Sequence, residues 1–572
     1  GEIEFDESYD DNCLVNVVSI GYVTPKKVIR SSAKTPGHQL VLFGSTTGHD
    51  GVGGASFASE PFVDEEEKDR SAIQIGDPLA KKVLIDTLSE LVDEELLEGL
   101  QDVGGGGIAS AAGELARAGG TGVEIDLEKV PLREDNMDPS EIIISESQER
   151  MLAIVAPEKM ERVILLLEKN DSPYAVIGYV TDDKNYTAKY NGEVVAKLPI
   201  NLLLEGFPVP ERVEAKIPAQ TDSLSWFKEP EDYRASVLSL LESINICSRE
   251  WVYSQYDQHV QASTVVDLGQ NAGVLEFPNG RLLAFTSDCN SFWCKLNPQT
   301  GTANSAAESL RNIVSMGAKP IFIANCLNFG NPERPESYAQ FVESVRGLGR
   351  FSHDFELPII AGNVSLYNES VNTGQSKRIN PTPQIMIGGI FNRGFTPVKR
   401  NLVTPWANIF LVGETFPELN GSEYQRVTLG EVKGEPPKYQ PSWEKRAMTA
   451  ILEAHERGLI RSCNNVGRGG LATALMKMVM NSEYGFKLNI DYLPGTVNSL
   501  AQSLFSETSS RYIAEVTESN QKEFLNILDK HELASCELGL TTSEPLANFG
   551  KFVVPLDEAK AIFSRGLSKF FE

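Results

Sequence analysis

Gln101-Asp-Val-Gly-Gly-Gly-Gly-Ile-Ala-Ser110 and Asn464-Asn-Val-Gly-Arg-Gly-Gly-Leu-Ala-Thr473 are two versions of one pattern. Each sets a polar pair and a valine before a glycine-rich turn, and each turn leads into the apolar start of a helix. The echo continues outward on both sides. Leu40–Gly44 returns as Ile409–Gly413, Ser145–Arg150 as Ser506–Arg511, and Val17–Val23 as Ile385–Phe391. The offset is 369 at Leu40 and 361 at Ser145, so the drift is small against a period of roughly 365 residues. A repeat of that length is a duplicated domain, not a solenoid. One block is present twice, with a different block between. The period predicts a counterpart of the middle block ahead of the first, and the 572 residues hold none, which makes one and a half repeats.

The length suits several domains. Hydrophobic content of 41% and charged content of 23% describe an ordinary globular protein. A net charge of −27 repels phosphodiester backbones, which argues against a nucleic-acid partner. No apolar run approaches the ~20 residues of a membrane helix. Seven cysteines without a CxxC pair and six scattered histidines argue against a disulfide framework or a zinc site. They point to a reducing, cytoplasmic setting. The chain opens Gly-Glu-Ile-Glu, without methionine, as a processed or partial sequence would.

In order, residues 14–23 and 39–44 read as buried strands. Asp77-Pro78 caps a helix reaching about Leu97, because Asp offers the capping oxygen and Pro suits the first turn. A helix follows the first glycine turn, and Met151–Val155 reads as a strand. Asn191-Gly192 and Asn279-Gly280 each mark a hairpin. Residues 206–231, with Pro208, Pro210, Pro218 and Pro230, read as a linker. Beyond it come a helix at 234–245, a helix from Ala303 to Met316, a strand at Pro320–Asn328 and a helix at 335–352. Ile359–Ala361 then reads as a buried strand ending in Gly362-Asn363. The expected domains are residues 1–205, 232–395 and 396–572. The class is α/β, of the α+β type.

Several residues suit chemistry. The Asp102 carboxylate and the Asn363 side-chain carbonyl are hard oxygen donors of the kind Mg²⁺ takes alongside substrate phosphates. Gly104–Gly107 at a helix start can turn N–H groups toward an anion. No Lys-Ser/Thr follows, so it is not a P-loop. Glu146-Ser147-Gln148 gathers an acceptor, a hydroxyl and an amide; alone, such a triplet is a solvated loop. The copies differ where chemistry would act: Asp102 becomes Asn465, and Gln148 becomes Ser509. One working site and one relic would explain this, as would drift at two loop positions.

Six ordered motifs carry a resemblance across essentially the whole chain. They are Gln74–Pro78, Gln101–Gly107, Ser145–Arg150, Gln255–His259, Asn325–Asn331 and Ala361–Ser365, with support from Gly51–Ala58 and Val130–Arg133. The chain resembles phosphoribosylformylglycinamidine synthase, in the synthetase subunit of the small, multi-subunit type. The resemblance implies duplicated aminoimidazole ribonucleotide synthetase-like domains in C-type, N-type, C-type order. It implies an ATP-dependent ligase that converts formylglycinamide ribonucleotide and glutamine-derived ammonia to the formylglycinamidine ribonucleotide, ADP and phosphate in purine synthesis. ATP would phosphorylate the amide oxygen and ammonia would displace phosphate. By position, Gln74, Glu146, Ser147, Gln148 and Ser365 are similar to substrate contacts. Asn325 and Gly362 are similar to ATP contacts, and Asp102 and Asn363 to Mg²⁺ ligands. The family often has Asp where this chain has Asn325. The family's N-terminal domain, with its catalytic histidine, has no counterpart here, so the catalytic group is unassigned. Implied partners are a glutaminase subunit and a small bridging subunit, and an apolar surface is expected where the N-terminal domain packs. Other readings are a thiamine-phosphate kinase or selenophosphate synthetase, both single-repeat enzymes, or a nucleotide-binding scaffold without activity.

Overall fold

The computed structural model describes residues 3–52, 74–206, 208–372 and 375–571. The chain divides into two compact units: Val18–Glu211 with Val371–Thr373, and Gly1–Val17 with Arg212–Ser370 and Gly374–Glu572.

The first unit is built on a seven-stranded sheet: β1 Gln39–Gly44, β2 Leu97–Asp102, β3 Gly122–Asp126, β4 Arg150–Val155, β5 Tyr174–Thr181, β6 Asn185–Tyr190 and β7 Glu193–Pro199. The order is β2-β4-β1-β5-β3-β6-β7. Side chains alternate across a strand, so β1 and β4 feed two cores. Leu40, Leu42, Leu152 and Ile154 pack under helices Gly107–Gly119 and Pro139–Ile144. Val41, Phe43, Ala153 and Val155 pack on the other face, against helices Pro78–Asp93 and Met160–Lys169. Each fully buried aliphatic contributes ~1.5–3 kcal/mol.

Asp77 caps its helix as expected, accepting from the Leu79 and Ala80 amides at 2.9 and 3.0 Å. The helix stops at Asp93, short of Leu97, because Leu97–Asp102 is drawn into the sheet beside β4. Asn191-Gly192 closes the β6–β7 hairpin with φ of +51° and +78°, the left-handed pair such a turn requires.

The expected strand at residues 14–23 does not form. These residues carry no regular structure, and Val15 and Val17 are 82% and 86% exposed. Their echo does form a strand, Thr382–Ile390, because it lies between two partner strands. A β-prone run without a partner strand has no ladder to join.

In the second unit, the N-type block forms a six-stranded sheet from β8 Thr264–Val266, β9 Gly273–Glu276, β10 Leu282–Asp288, β11 Lys319–Asn328, β12 Ile359–Ser365 and β15 Thr382–Ile390. A small ribbon, β13 Glu369–Asn372 and β14 Gln375–Arg378, precedes β15. The order is β12-β11-β15-β10-β9-β8, with β11 and β12 parallel. Helix Pro298–Ser315 starts earlier than expected, because Asn297 caps it through the Thr300 amide.

The strand ending in Gly362-Asn363 is present as β12, but it is not buried. It is an edge strand, with Ile359 43%, Ile360 61% and Val364 50% exposed. An apolar run shows β-propensity without showing which faces are covered.

The second C-type sheet comprises β16 Asn408–Val412, β17 Ile460–Asn465, β18 Gly485–Leu488, β19 Tyr512–Val516, β20 Ser535–Thr542, β21 Leu546–Asn548 and β22 Val553–Pro555. Its order, β17-β19-β16-β20-β18-β21-β22, repeats the first C-type sheet strand for strand. One difference is in packing. Phe410 and Val412 share a continuous core with Leu310, Ile313 and Ile385 of the N-type block. Within the expected linker, Trp226 donates to Asn420 at 2.8 Å, and Leu224, Trp226 and Phe227 pack against the second C-type core.

Candidate active site

A buried arginine organises the same corner of both C-type sheets. Arg150 Nε donates to the Ser147 carbonyl at 2.8 Å, and its two terminal nitrogens reach Thr47 Oγ1 at 2.8 Å and the Ser145 carbonyl at 2.6 Å. Arg511 does the same with Thr508, Thr415 and Ser506 at 2.9, 3.0 and 2.6 Å. Burial pushes Arg150 down to about 10 and Arg511 to about 9. The guanidinium forks hold the Ser-x-x-x-x-Arg loops against the ends of β1 and β16. Gly44 and Gly413 allow it: φ is +107° and +103°, and a Cβ on Gly44 would lie 2.1 Å from the Glu149 carbonyl oxygen. The sequence echo showed this arginine but not its role; Thr47 and Thr415, also echoed, were missed.

In the first unit, the loop that the arginine holds meets the glycine turn. Glu146 Oε1 accepts from the Gly106 amide at 2.9 Å, and Glu146 Oε2 accepts from Gln74 Nε2 at 2.9 Å. Gln148 Nε2 donates to the Glu146 carbonyl at 2.9 Å and reaches the Gly104 carbonyl at 3.4 Å. Asp102, at the end of edge strand β2, accepts from the Gly104 amide at 3.1 Å and is exposed. Ser147 Oγ accepts from the Gly48 amide at 2.9 Å. Glu146 and Ser147 are buried, which overturns the solvated-loop reading of this triplet. Gln74, Asp102, Glu146, Ser147 and Gln148 thus gather around one turn. Arg133 pairs with the buried Asp50 in the same loop cluster. Of the supporting Gly51–Ala58 motif, residues 53–58 lie outside the described residues.

The second glycine turn is closed. Asn465 donates to Asn312, which donates to Asp288 at 3.2 Å. Ser509 donates to Asn304 at 3.1 Å. A Cβ on Gly467 would lie 2.1 Å from Glu308 Oε1. All four partners are N-type residues, three of them on helix Pro298–Ser315. Arg468 stands where the first turn has Gly105, and it is paired with Glu4 and, at 3.8 Å, with Glu423. Glu507, the counterpart of Glu146, accepts from the Gly469 and Glu423 amides at 2.6 and 2.8 Å. Burial pushes its carboxyl up to about 8.

A separate group lies on the N-type sheet edge. Parallel pairing sets Asn325 beside Gly362, Cys326 beside Asn363, and Asn328 beside Ser365. Asn363 Nδ2 donates to Cys326 Sγ at 3.4 Å, which leaves its carbonyl oxygen for another partner. Strand alternation puts Asn325 and Gly362 on one face, and Asn363 and Ser365 on the other.

Residues 35–191 and 407–549 match the profile described as AIR synthase related protein, C-terminal domain, and residues 269–391 match its N-terminal domain. The chain is 42% identical over 536 residues to phosphoribosylformylglycinamidine synthase subunit PurL of Methanocaldococcus jannaschii, covering 92% of this chain and 72% of that protein. This chain belongs to the PurL family. A second PurL, from Caldanaerobacter subterraneus, is 37% identical over 96% of this chain and 74% of its own length. Among solved structures, Thermotoga maritima PurL complexed with FGAR superposes with a TM-score of 0.65 at 26% identity, covering 91% of this chain and 74% of that one. The same protein complexed with ATP gives 0.62 at 25% identity, over 91% and 73%. PurLQS from Thermotoga maritima gives 0.65 at 25% identity, over 91% and 74%. PurL membership fixes the C-type, N-type, C-type order and makes the chain a ligase subunit of purine biosynthesis.

Proposed function

We propose that this chain amidates formylglycinamide ribonucleotide, using ATP and ammonia delivered by a partner, to give the formylglycinamidine ribonucleotide, ADP and phosphate. The observation that carries the reading is the first glycine turn, open among the described residues, where Asp102, Gln74, Glu146, Ser147 and Gln148 converge in a PurL chain. Phosphoryl transfer to the amide oxygen makes a good leaving group, and ammonia then displaces phosphate.

Gln74, Glu146, Ser147 and Gln148 are assigned to the substrate, and so, by its place in the Ala361–Ser365 motif, is Ser365. Asn325 and Gly362 are assigned to ATP, Asp102 to one Mg²⁺ and Asn363 to another. The donor chemistry fits that ion: an exposed carboxylate with one oxygen already committed, and an amide whose nitrogen is engaged, each leave one hard oxygen. Bound Mg²⁺ would neutralise charge on the phosphates. Among the described residues no cluster of three or more His, Cys, Asp or Glu could hold a metal, so phosphate and water oxygens would complete the shell of each ion. The domain limits are taken as 1–205, 232–395 and 396–572. A glutaminase subunit and a bridging subunit are the proposed partners, and the cytoplasm the proposed location; no described helix is long and apolar enough to cross a membrane.

The test is phosphate release from ATP and Mg²⁺ with ammonium as nitrogen donor, with and without formylglycinamide ribonucleotide. Substrate-dependent release that Asp102→Ala and Asn363→Ala both abolish is the expected result. Release indifferent to the ribonucleotide would overturn the substrate assignment.

A further inference from the structure

We infer that Cys326 is a positioning residue: together with Asn328, its thiol holds the nitrogen of the Asn363 amide inward and leaves the carbonyl oxygen presented outward. The inference rests on the proposed function for what that oxygen meets, the Mg²⁺ assigned to Asn363, and on the geometry for the orientation itself.

Parallel pairing and strand alternation put Cys326, Asn328, Asn363 and Ser365 on one face of the β11–β12 pair. The orientation starts from the main chain. Asn328 is buried, and its Nδ2 donates to the Cys326 carbonyl at 3.1 Å and to the Thr382 carbonyl at 3.0 Å. Both amide hydrogens are thereby placed, and a flipped amide would set its oxygen against two carbonyl oxygens. Asn328 Oδ1 is therefore the end that faces the thiol, and it accepts from Cys326 Sγ at 3.7 Å. The one thiol hydrogen is committed there, so toward Asn363 the sulfur can only accept. It does so from Asn363 Nδ2, at 3.4 Å. An amide oxygen turned to the sulfur would meet lone pairs instead. A polarity set by two main-chain carbonyls thus passes through three side chains and ends at the Asn363 oxygen.

Asn363 lies exposed on an edge strand, and among the described residues this bond is the one that holds its side chain. Without it the amide would present either end, and a cation can use only the oxygen. Hydrogen bonds behind a metal ligand act on affinity by orienting it, and their loss typically costs 10–100-fold.

Calorimetry on the full chain tests this with ATP, in Mg²⁺ and again in EDTA. In Mg²⁺, Cys326→Ala should weaken ATP binding ~10-fold, whereas Cys326→Ser, whose hydroxyl also donates and accepts, should stay within about threefold of the wild type. In EDTA, Cys326→Ala should match the wild type, since the thiol acts only on the oxygen that faces the metal. A chain carrying both Cys326→Ala and Asn363→Ala should bind no more weakly than Asn363→Ala alone. Losses that multiply, an equal loss in EDTA, or no loss at all would overturn the inference. The thiol also gives a reading without any ligand. Its infrared S–H band, isolated by subtracting the spectrum of Cys326→Ser, should move to higher frequency in Asn328→Ala. It should move the same way by a smaller amount in Asn363→Ala, a change at an exposed position that leaves the fold intact. A band that both changes leave in place would overturn the inference too. A wild-type chain that binds no ATP in Mg²⁺ would sink the ATP and Mg²⁺ assignments instead, while the S–H band still decides the orientation.

Discussion

The two glycine turns share a backbone and differ in what faces them. Both follow an edge strand, both use paired left-handed glycines, and both are held by a glutamate and an arginine in the next loop. The first keeps Asp102 exposed, with Gln74 tethered beside it. The second buries Asn465 against Asn312, sets Arg468 in place of Gly105 and draws in Glu4. A duplicated frame is cheap to keep because its bonds are internal. Chemistry needs an open face, and only residues that do not hold the frame are free to change.

Four experiments would break or sharpen that contrast. Asp102→Asn, which copies the residue of the second turn, is expected to cut substrate-dependent phosphate release ~100-fold or more, while Asn465→Ala stays within about threefold. Equal losses would end the distinction between the turns. Next in size are Arg150→Lys and Arg511→Lys, since a lysine cannot make the three-way fork. Denaturant melts should show each costing about 3 kcal/mol. A much smaller loss in one copy would mean that the frames are not equivalent.

Gly51→Ala probes the first turn alone. Gly51 has φ +72°, and a Cβ there would lie 2.4 Å from that of Glu146. It should cost about 1–3 kcal/mol and weaken ribonucleotide binding, and unchanged binding would separate loop geometry from the site.

The smallest effect is a pH slope. The Glu507 carboxyl is raised from 4.5 to about 8 by burial. Between those values the folded chain keeps a proton that the unfolded chain releases, so its contribution to stability falls as pH rises through that window. Glu507→Gln should flatten the slope from about pH 5 to 8 in melts across that range. A slope that persists would assign the titration to another group.

Much of this was legible in the chain. The offset echoes gave the repeated block because local patterns survive duplication, and the strand orders match. Asp77, Asn191-Gly192 and the glycine turns could be read because capping and left-handed φ depend on residue type. Two apolar runs misled. Residues 14–23 found no strand to pair with, and β12 lies at an edge with its apolar side chains exposed. The triplet at 146–148 reads as a loop because its partners Gly48, Gln74 and Gly106 lie far from it in the chain, where a local pattern cannot show them.

The sequence by itself determined the duplication, the α/β class, the family and the set of polar residues at each turn, since all of these are written in order and spacing. Only the tertiary structure decided which turn is plugged. That depends on helix Pro298–Ser315 placing Asn304, Glu308 and Asn312 against the second copy, and on Glu4 reaching Arg468 across more than four hundred residues of chain. Contacts so far apart in sequence leave no local trace, because what fixes them is packing and charge pairing in space.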